Sequence, residues 1–245
     1  LRIDHVMRFF RLFWIPEGMS AAQGTYVNER WQDLLRILAL ESVRGRFLVV
    51  GEDLGTVPSG LREAMEQYGM LRYKLFYFEK GGDGLPLPCS SYPSGALVSS
   101  TTHDLPTLAG FWAGRDIEAR RTAGILNDEG LYLRQREERR TDKRRMTDAL
   151  IRDGFLPPDF PREAAEWTEL TGDLHNAIIG YLMNTPAALM LLNQEDLTKE
   201  IDQQNLPGTT WQYPNWRRKM RYSLEELQTS KTAADFALMM RSWLE

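Results

Sequence analysis

Arg46-Phe47-Leu48-Val49-Val50-Gly51-Glu52-Asp53-Leu54-Gly55 is a short apolar run that stops abruptly at two carboxylates and a glycine. Four apolar residues, Phe47 to Val50, are too few for a helix and read as a buried strand of the parallel kind, covered by helices on both faces. Glu52 and Asp53 then lie at its carboxyl end, which in a barrel or doubly wound sheet is the end that carries chemistry. After Thr56, Val57 and Pro58, Ser59 opens a helix with Leu61, Met65 and Tyr68 as its apolar stripe and Gly69 as its stop. The unit is strand, acidic loop, helix, and its recurrence along the chain predicts an α/β fold.

Upstream, Leu1 to Val6 alternates so that Arg2 and Asp4 share one face and Ile3 and His5 the other. A guanidinium beside a carboxylate favours the anion and orients it. Asp4 therefore suits a nucleophile, although from these residues alone a structural ion pair at a strand end is the favoured reading. Trp14, Pro16 and Gly18 mark a loop, and Ala21 to Tyr26, with Gly24, either approaches a ligand or turns a corner. A helix is expected from about Asn28 to Ser42, with Trp31, Leu34, Leu35 and Leu38 facing the core.

Downstream, Arg72 to Phe78 reads as a third strand, with Tyr73, Leu75 and Tyr77 on one side and Phe76 and Phe78 on the other. Gly81 to Gly95 holds four glycines and three prolines and reads as a long surface loop, in which Tyr92 either stacks on a ligand or packs beneath the loop. Ala96 to Ser99 is a fourth strand, ending in Ser100, Thr101, Thr102, His103 and Asp104. Residues from about 115 to 184 read as a mainly helical insertion. Its charged run Arg134 to Arg145 has acid and base at i, i+3 in Glu137/Arg140 and Asp142/Arg145, which reads as a solvated helix face. A helix from about Asp173 to Asn184 carries a stripe of Leu174, Ile178, Tyr181 and Leu182.

Ala187 to Leu192 is a fifth strand, ending in Asn193, Gln194, Glu195 and Asp196. The polar turn from Asn205 to Thr210 is followed by Trp211, Tyr213 and Trp216, whose rings suit either a sugar face or ordinary packing. Ser223 with Glu226 forms a capping box, and a last helix is expected to bury Phe236, Met239, Met240, Trp243 and Leu244.

Composition narrows the function classes. A chain of 245 residues, 42% hydrophobic and 26% charged, can bury a real core as one domain or part of a larger one. A net charge of -4 argues against nucleic acid as the partner. No apolar run approaches the roughly 18 residues that span a membrane. The single cysteine, Cys89, excludes an internal disulfide and fits a cytoplasmic protein. With three histidines and no metal-ligand spacing among them, no metal site and no cofactor are expected.

Three of the five expected strands end in acids, Asp4, Glu52 and Asp104, expected to face one rim. Cleaving an acetal needs that set: an anion to attack, a proton donor for the leaving oxygen, and further negative charge beside an oxocarbenium-like transition state. Glu52 as the donor has to hold its proton at rest.

The motifs Arg2-Ile3-Asp4-His5, Gly51-Glu52-Asp53-Leu54-Gly55, Thr102-His103-Asp104, Asn205-Leu206-Pro207-Gly208-Thr209 and Pro214-Asn215-Trp216-Arg217-Arg218 occur in this order. In these the chain resembles, over essentially its whole length, the 4-alpha-glucanotransferases of the amylomaltase (disproportionating enzyme) family, particularly the bacterial maltodextrin-utilising type. The resemblance implies a (β/α)8 TIM barrel of the alpha-amylase superfamily. It implies Asp4 as nucleophile after the fourth strand, Glu52 as general acid/base after the fifth, and Asp104 as transition-state stabiliser after the seventh. It also implies Arg2 and His103 as contacts to sugar and carboxylate, and Asn205, Pro207 and Gly208 along a cleft for maltooligosaccharides.

Five strands correspond to strands four to eight of such a barrel. The expectation is therefore a carboxy-terminal part, lacking the amino-terminal half and inactive alone. Two alternatives remain: a retaining alpha-glucan hydrolase using the same acids, and a non-catalytic carbohydrate-binding fragment using Trp211, Tyr213 and Trp216.

Overall fold

The computed structural model describes residues 1–243. Five short strands, β1 (Arg2–Ile3), β4 (Val50–Gly51), β5 (Leu71–Leu75), β6 (Ala96–Ser99) and β7 (Leu189–Leu191), form one sheet in that order. β1 pairs with β4 and β4 with β5, both parallel, with Arg2 opposite Val50 and Val50 opposite Leu71. Among the strands of this sheet, neighbours in space follow one another in chain order. This is a partial barrel sheet.

The strands are shorter than the apolar runs that announce them. Phe47 N–H still donates to the Ser42 carbonyl, and Arg46 takes a left-handed φ of 51°, so the chain is finishing helix α1 (Trp31–Gly45) until it swings into the sheet at Val50. β5 likewise stops at Leu75: Phe76 and Tyr77 are buried beyond its end, while Phe78 is exposed.

The chain divides into two compact units. The first comprises Leu1–Lys74, Pro93–Leu97 and Ala187–Leu189. Its core gathers Val6, Met7, Phe10, Leu35, Val49, Leu61, Met65 and Met70, with Trp31 stacked on Phe10 at 4.4 Å. Leu35 is the residue of α1 that is fully buried; Leu34, assigned to the same face by spacing, is exposed. Helix α2 (Leu61–Gln67) lays Met65 across the end of β4, where a Cβ on Gly51 would sit 2.7 Å from the Met65 methyl. Gly51 therefore serves close packing against Met65 and Val6 and not turning. An antiparallel hairpin of β2 (Arg11–Trp14) and β3 (Thr25–Asn28) precedes α1 and delays its start to Trp31. Spacing alone misses this hairpin, because Leu12, Phe13 and Trp14 are all exposed and leave no alternation to read.

The second unit comprises Leu75–Tyr92, Val98–Pro186 and the chain from Met190 on. It contains α3 (Leu108–Ala113), α4 (Arg115–Thr122), α5 (Glu129–Arg152), α6 (Gly172–Met183), α7 (Gln194–Leu197), α8 (Leu224–Thr229) and α9 (Lys231–Ser242). Tyr181 of α6 is its hub, with ring contacts to Phe76, Tyr92 and Phe155. Tyr92 is therefore a packing residue and not a ligand stack. On α5 the charged run is only partly solvated. Glu137 and Arg140 pair as their spacing predicts, but Asp142 pairs with Lys80 at 2.6 Å, and Arg139 reaches in to grip Asp116 with both nitrogens at 2.8 and 2.9 Å. Lys143 is buried, donating to the Trp112 and Trp167 carbonyls, and burial lowers its pKa to about 8. Phe236, Met239 and Met240 are half-buried, Trp243 is exposed with its ring beside Phe155, and Leu244 lies outside the described residues.

Candidate active site

In the first unit the end of β1 and the end of β4 are joined directly. Glu52 N–H donates to the Ile3 carbonyl, and Val6 N–H donates back to the Glu52 carbonyl, both at 2.9 Å. Between them the chain turns at His5, which is held at φ 47°. That turn aims the His5 N–H at the Glu52 carboxylate, Oε2 at 2.8 Å, while Leu54 N–H donates to Oε1 at 2.7 Å. Glu52 is buried at 8% exposure, yet both of its oxygens have partners.

Asp4 precedes this turn, and its side chain is 75% exposed and paired with Arg2 at 3.0 Å. An exposed pair of this kind adds at most about 1 kcal/mol to stability, so its worth lies in orientation. The Arg2 guanidinium also lies over the Tyr73 ring, 5.8 Å from its centroid. Arg2 and Asp4 are thus paired on the segment whose next residue, His5, holds the Glu52 carboxylate.

Asp53 has a different task. Its side chain is 1% exposed and accepts from Tyr73 N–H at 3.0 Å and Arg72 Nε at 3.2 Å, with Arg62 Nε at 3.5 Å. It locks the end of β4 to the start of β5 and so fixes the backbone that presents Glu52. Its signal in the sequence is weak: an acid beside Glu52 and an arginine at the head of the next strand.

In the second unit, the loop after β6 and the polar segment from Gln203 to Trp216 are knit together. Asn205 Nδ2 donates to Asp104 Oδ1 at 2.6 Å, and Asn205 N–H donates to the His103 carbonyl at 3.2 Å. His103 Nε2 lies 3.4 Å from Asp104 Oδ2, and the His103 ring rests against Trp216 at 5.2 Å. Trp216 holds a φ of 59°, a strained value for a bulky residue, and Asn215 beside it ties Leu206 to Thr209.

The aromatic trio separates here. Tyr213 is buried, its hydroxyl donating to the Gln203 carbonyl, whereas Trp211 is 84% exposed and Trp216 62%. Tyr213 packs; the two tryptophans offer open faces. Pro207 and Gly208 are exposed, Gly208 at φ 83°, where a side chain would be strained.

Asp104, Leu206 and Pro207 line a cleft of about 510 Å³ within this unit. Its other walls include Tyr77, Phe111 and Gln135, so α5 supplies one side. Gln135 and Gln203 each bring a buried side-chain oxygen with no partner among the described residues. The volume is that of ordinary small-molecule sites. Among the described residues no His/Cys/Asp/Glu group is arranged to hold a metal ion, and no helix is long and apolar enough to cross a membrane.

The sequence profile of glycoside hydrolase family 77, the 4-alpha-glucanotransferases, matches residues 1–225. The chain belongs to this family. It is 38% identical over 237 residues to the 4-alpha-glucanotransferase of Haemophilus influenzae, covering 96% of this chain and 33% of that protein. It is 35% identical over 252 residues to that of Mycobacterium bovis, covering 99% and 34%. Amylomaltase from Corynebacterium glutamicum superposes with a TM-score of 0.88 at 30% identity, over 98% of this chain and 35% of that one. Amylomaltase from Streptococcus agalactiae, solved with acarbose, shares the fold at a TM-score of 0.69 and 17% identity, over 100% of this chain and 41% of that one. The chain spans about a third of the length of the curated relatives it matches. In this family setting the five-stranded sheet is part of the TIM barrel of the alpha-amylase superfamily.

Proposed function

We propose that the chain is the carboxy-terminal part of a cytoplasmic 4-alpha-glucanotransferase that moves alpha-1,4-glucan segments between maltodextrins with retention. The observation that carries the reading is the hydrogen bond from His5 N–H to Glu52, because it brings the residue following Asp4 into contact with the second acid. Asp4 attacks the anomeric carbon while Glu52 gives its proton to the departing oxygen, leaving a glycosyl ester on Asp4. Glu52, now a carboxylate, takes the proton from the 4-hydroxyl of an acceptor glucan, whose oxygen displaces Asp4 and remakes the linkage. Asp104 supplies negative charge to the oxocarbenium-like state, with Asn205 and His103 holding its two oxygens. Arg2 orients Asp4, and Pro207 and Gly208 lie along the glucan path.

The retaining assignment requires the Asp4 and Glu52 carboxyls to lie about 5 to 5.5 Å apart in the glucan-bound enzyme. A separation in the inverting range refutes it. Family membership and the relatives' length support a missing amino-terminal part that supplies the first three strands and completes the donor site. Incubating this polypeptide alone with maltotriose tests that point: glucose and longer maltodextrins formed at ordinary enzyme rates would sink the fragment reading. Counting reducing ends in the active enzyme separates transfer, which conserves them, from the hydrolase alternative, which adds one per cleavage.

A further inference from the structure

We propose that Asp196 is a positioning residue, stapling together the two ends of the loop that carries Asp104. This rests on the reading of Asp104 as the charge stabiliser. The loop leaves β6 at Ser100 and enters α3 at Leu108, with Asp104 at its middle. Asp196, 1% exposed, accepts from both ends: the Ser100 hydroxyl donates to Oδ2, and Leu108 N–H donates to Oδ1 at 2.8 Å. One carboxylate thus closes the loop at its base and caps the start of α3.

The neighbours of Asp196 reinforce the staple. Asn193 Nδ2 donates to the Thr101 carbonyl at 3.1 Å and to Ser99 Oγ at 2.9 Å. Thr101 Oγ1 crosses the loop to the Pro106 carbonyl at 2.7 Å, and the Thr107 hydroxyl donates to the Glu200 carbonyl. A Cβ on Gly110 would sit 2.3 Å from the Ile201 carbonyl oxygen, so α3 lies against the segment after α7 with no room to spare. From α6, the buried His175 donates Nε2–H to the Asp196 carbonyl at 2.9 Å; a carbonyl can only accept, which fixes the tautomer. Burial lowers the His175 pKa, keeping the ring neutral at pH 7.

A carboxylate is a costly choice for a site that buries it. Burial raises the Asp196 pKa to about 6, against the opposing pull of its Ser100 and Leu108 hydrogen bonds. Two donors converging on the base of the loop need a partner for each, and the carboxylate answers one with each oxygen.

Amide hydrogen exchange on the full-length enzyme tests the staple. In Asp196→Leu, the amides of Thr102, His103 and Leu105 should exchange at least tenfold faster, while Ile178 and Ile179 in α6 stay unchanged. In Asp196→Asn, which still accepts from Leu108 and can donate to Ser100, they should stay within threefold of wild type. Ser100→Ala removes one arm while leaving the carboxylate, so it keeps the test decisive if the leucine variant does not fold; loop exchange three- to tenfold faster is expected. In the full-length enzyme, Asp196→Leu should lower kcat about 100-fold with KM within twofold, and Asp196→Asn should recover most of that loss. Loop exchange unaltered in Ser100→Ala, exchange rising equally in α6, or asparagine behaving like leucine would each overturn the proposal. If the wild-type enzyme transfers no glucan, the functional reading falls, and the exchange pattern alone decides the staple.

Discussion

The loop after β4 and the loop after β6 each present an acid, and each is braced by a second, buried aspartate, but the two braces are built differently. Asp53 is answered by two guanidiniums, Arg62 and Arg72, and by one backbone N–H. Asp196 is answered by a hydroxyl and a backbone N–H. The first is charge-compensated and is held through cations; the second relies on dipoles and carries the cost of its own burial. The difference teaches that an acid-bearing loop can be fixed with or without a counter-ion, and the uncompensated brace is expected to answer to mild acid.

The largest effect should come from the presented acids themselves. Glu52→Gln should lower glucan transfer by about 10³-fold with maltodextrin binding retained, and Asp104→Asn by about 10²-fold, measured by disproportionation of maltotriose in the full-length enzyme. Retained turnover in the glutamine variant removes Glu52 from its role and the first half of the comparison with it.

Breaking the compensated brace comes next. Arg72→Ala leaves the Asp53 charge with its more exposed partner, Arg62, and should cost about 3 kcal/mol by urea denaturation. A cost below about 1 kcal/mol would make the two braces equivalent.

The uncompensated brace should show itself as a pH slope. The Asp196 carboxyl stands at about 6 in the folded chain against an ordinary 3.8. Between those values the folded state binds more protons than the unfolded one, so stability falls as pH rises through this window. Wild-type stability relative to Asp196→Asn should therefore drop by on the order of 2 kcal/mol from pH 4 to pH 6, with Glu195 and Tyr77 the nearby groups able to modulate it. Parallel stability curves for the two proteins would show that the buried charge costs nothing.

The smallest effect belongs to Trp216. Exposed, with its ring tilted against His103, it should be replaceable by alanine with little loss of stability and roughly threefold weaker binding of maltooligosaccharide by calorimetry.

The order of strands and acids was legible because a parallel strand announces itself as an apolar run and its catalytic end as an abrupt polar stop, as at Val50-Gly51-Glu52 and Ser99-Ser100. Arg2 and Asp4 were legible as a pair by period two. The roles of Asp53 and Asp196 were not, since a brace is defined by donors brought from distant sequence: Arg72 lies 19 residues from Asp53, and Ser100 lies 96 from Asp196. Tyr92 and Tyr213 read ambiguously for the same reason, because packing and stacking demand the same ring. The charged face of α5 misled in part, since Lys143 hides a positive charge behind an aliphatic stem and two carbonyls.

The contact between Gly110 and Ile201 bears on any attempt to make the protein more heat-resistant. Swapping helical glycines for alanine is a common route to a higher melting temperature, since it removes freedom from the unfolded chain. Gly172, with open space about it, is a position where that recipe should work. At Gly110 the added methyl would strike a carbonyl oxygen, so a library randomised there should return glycine and little else.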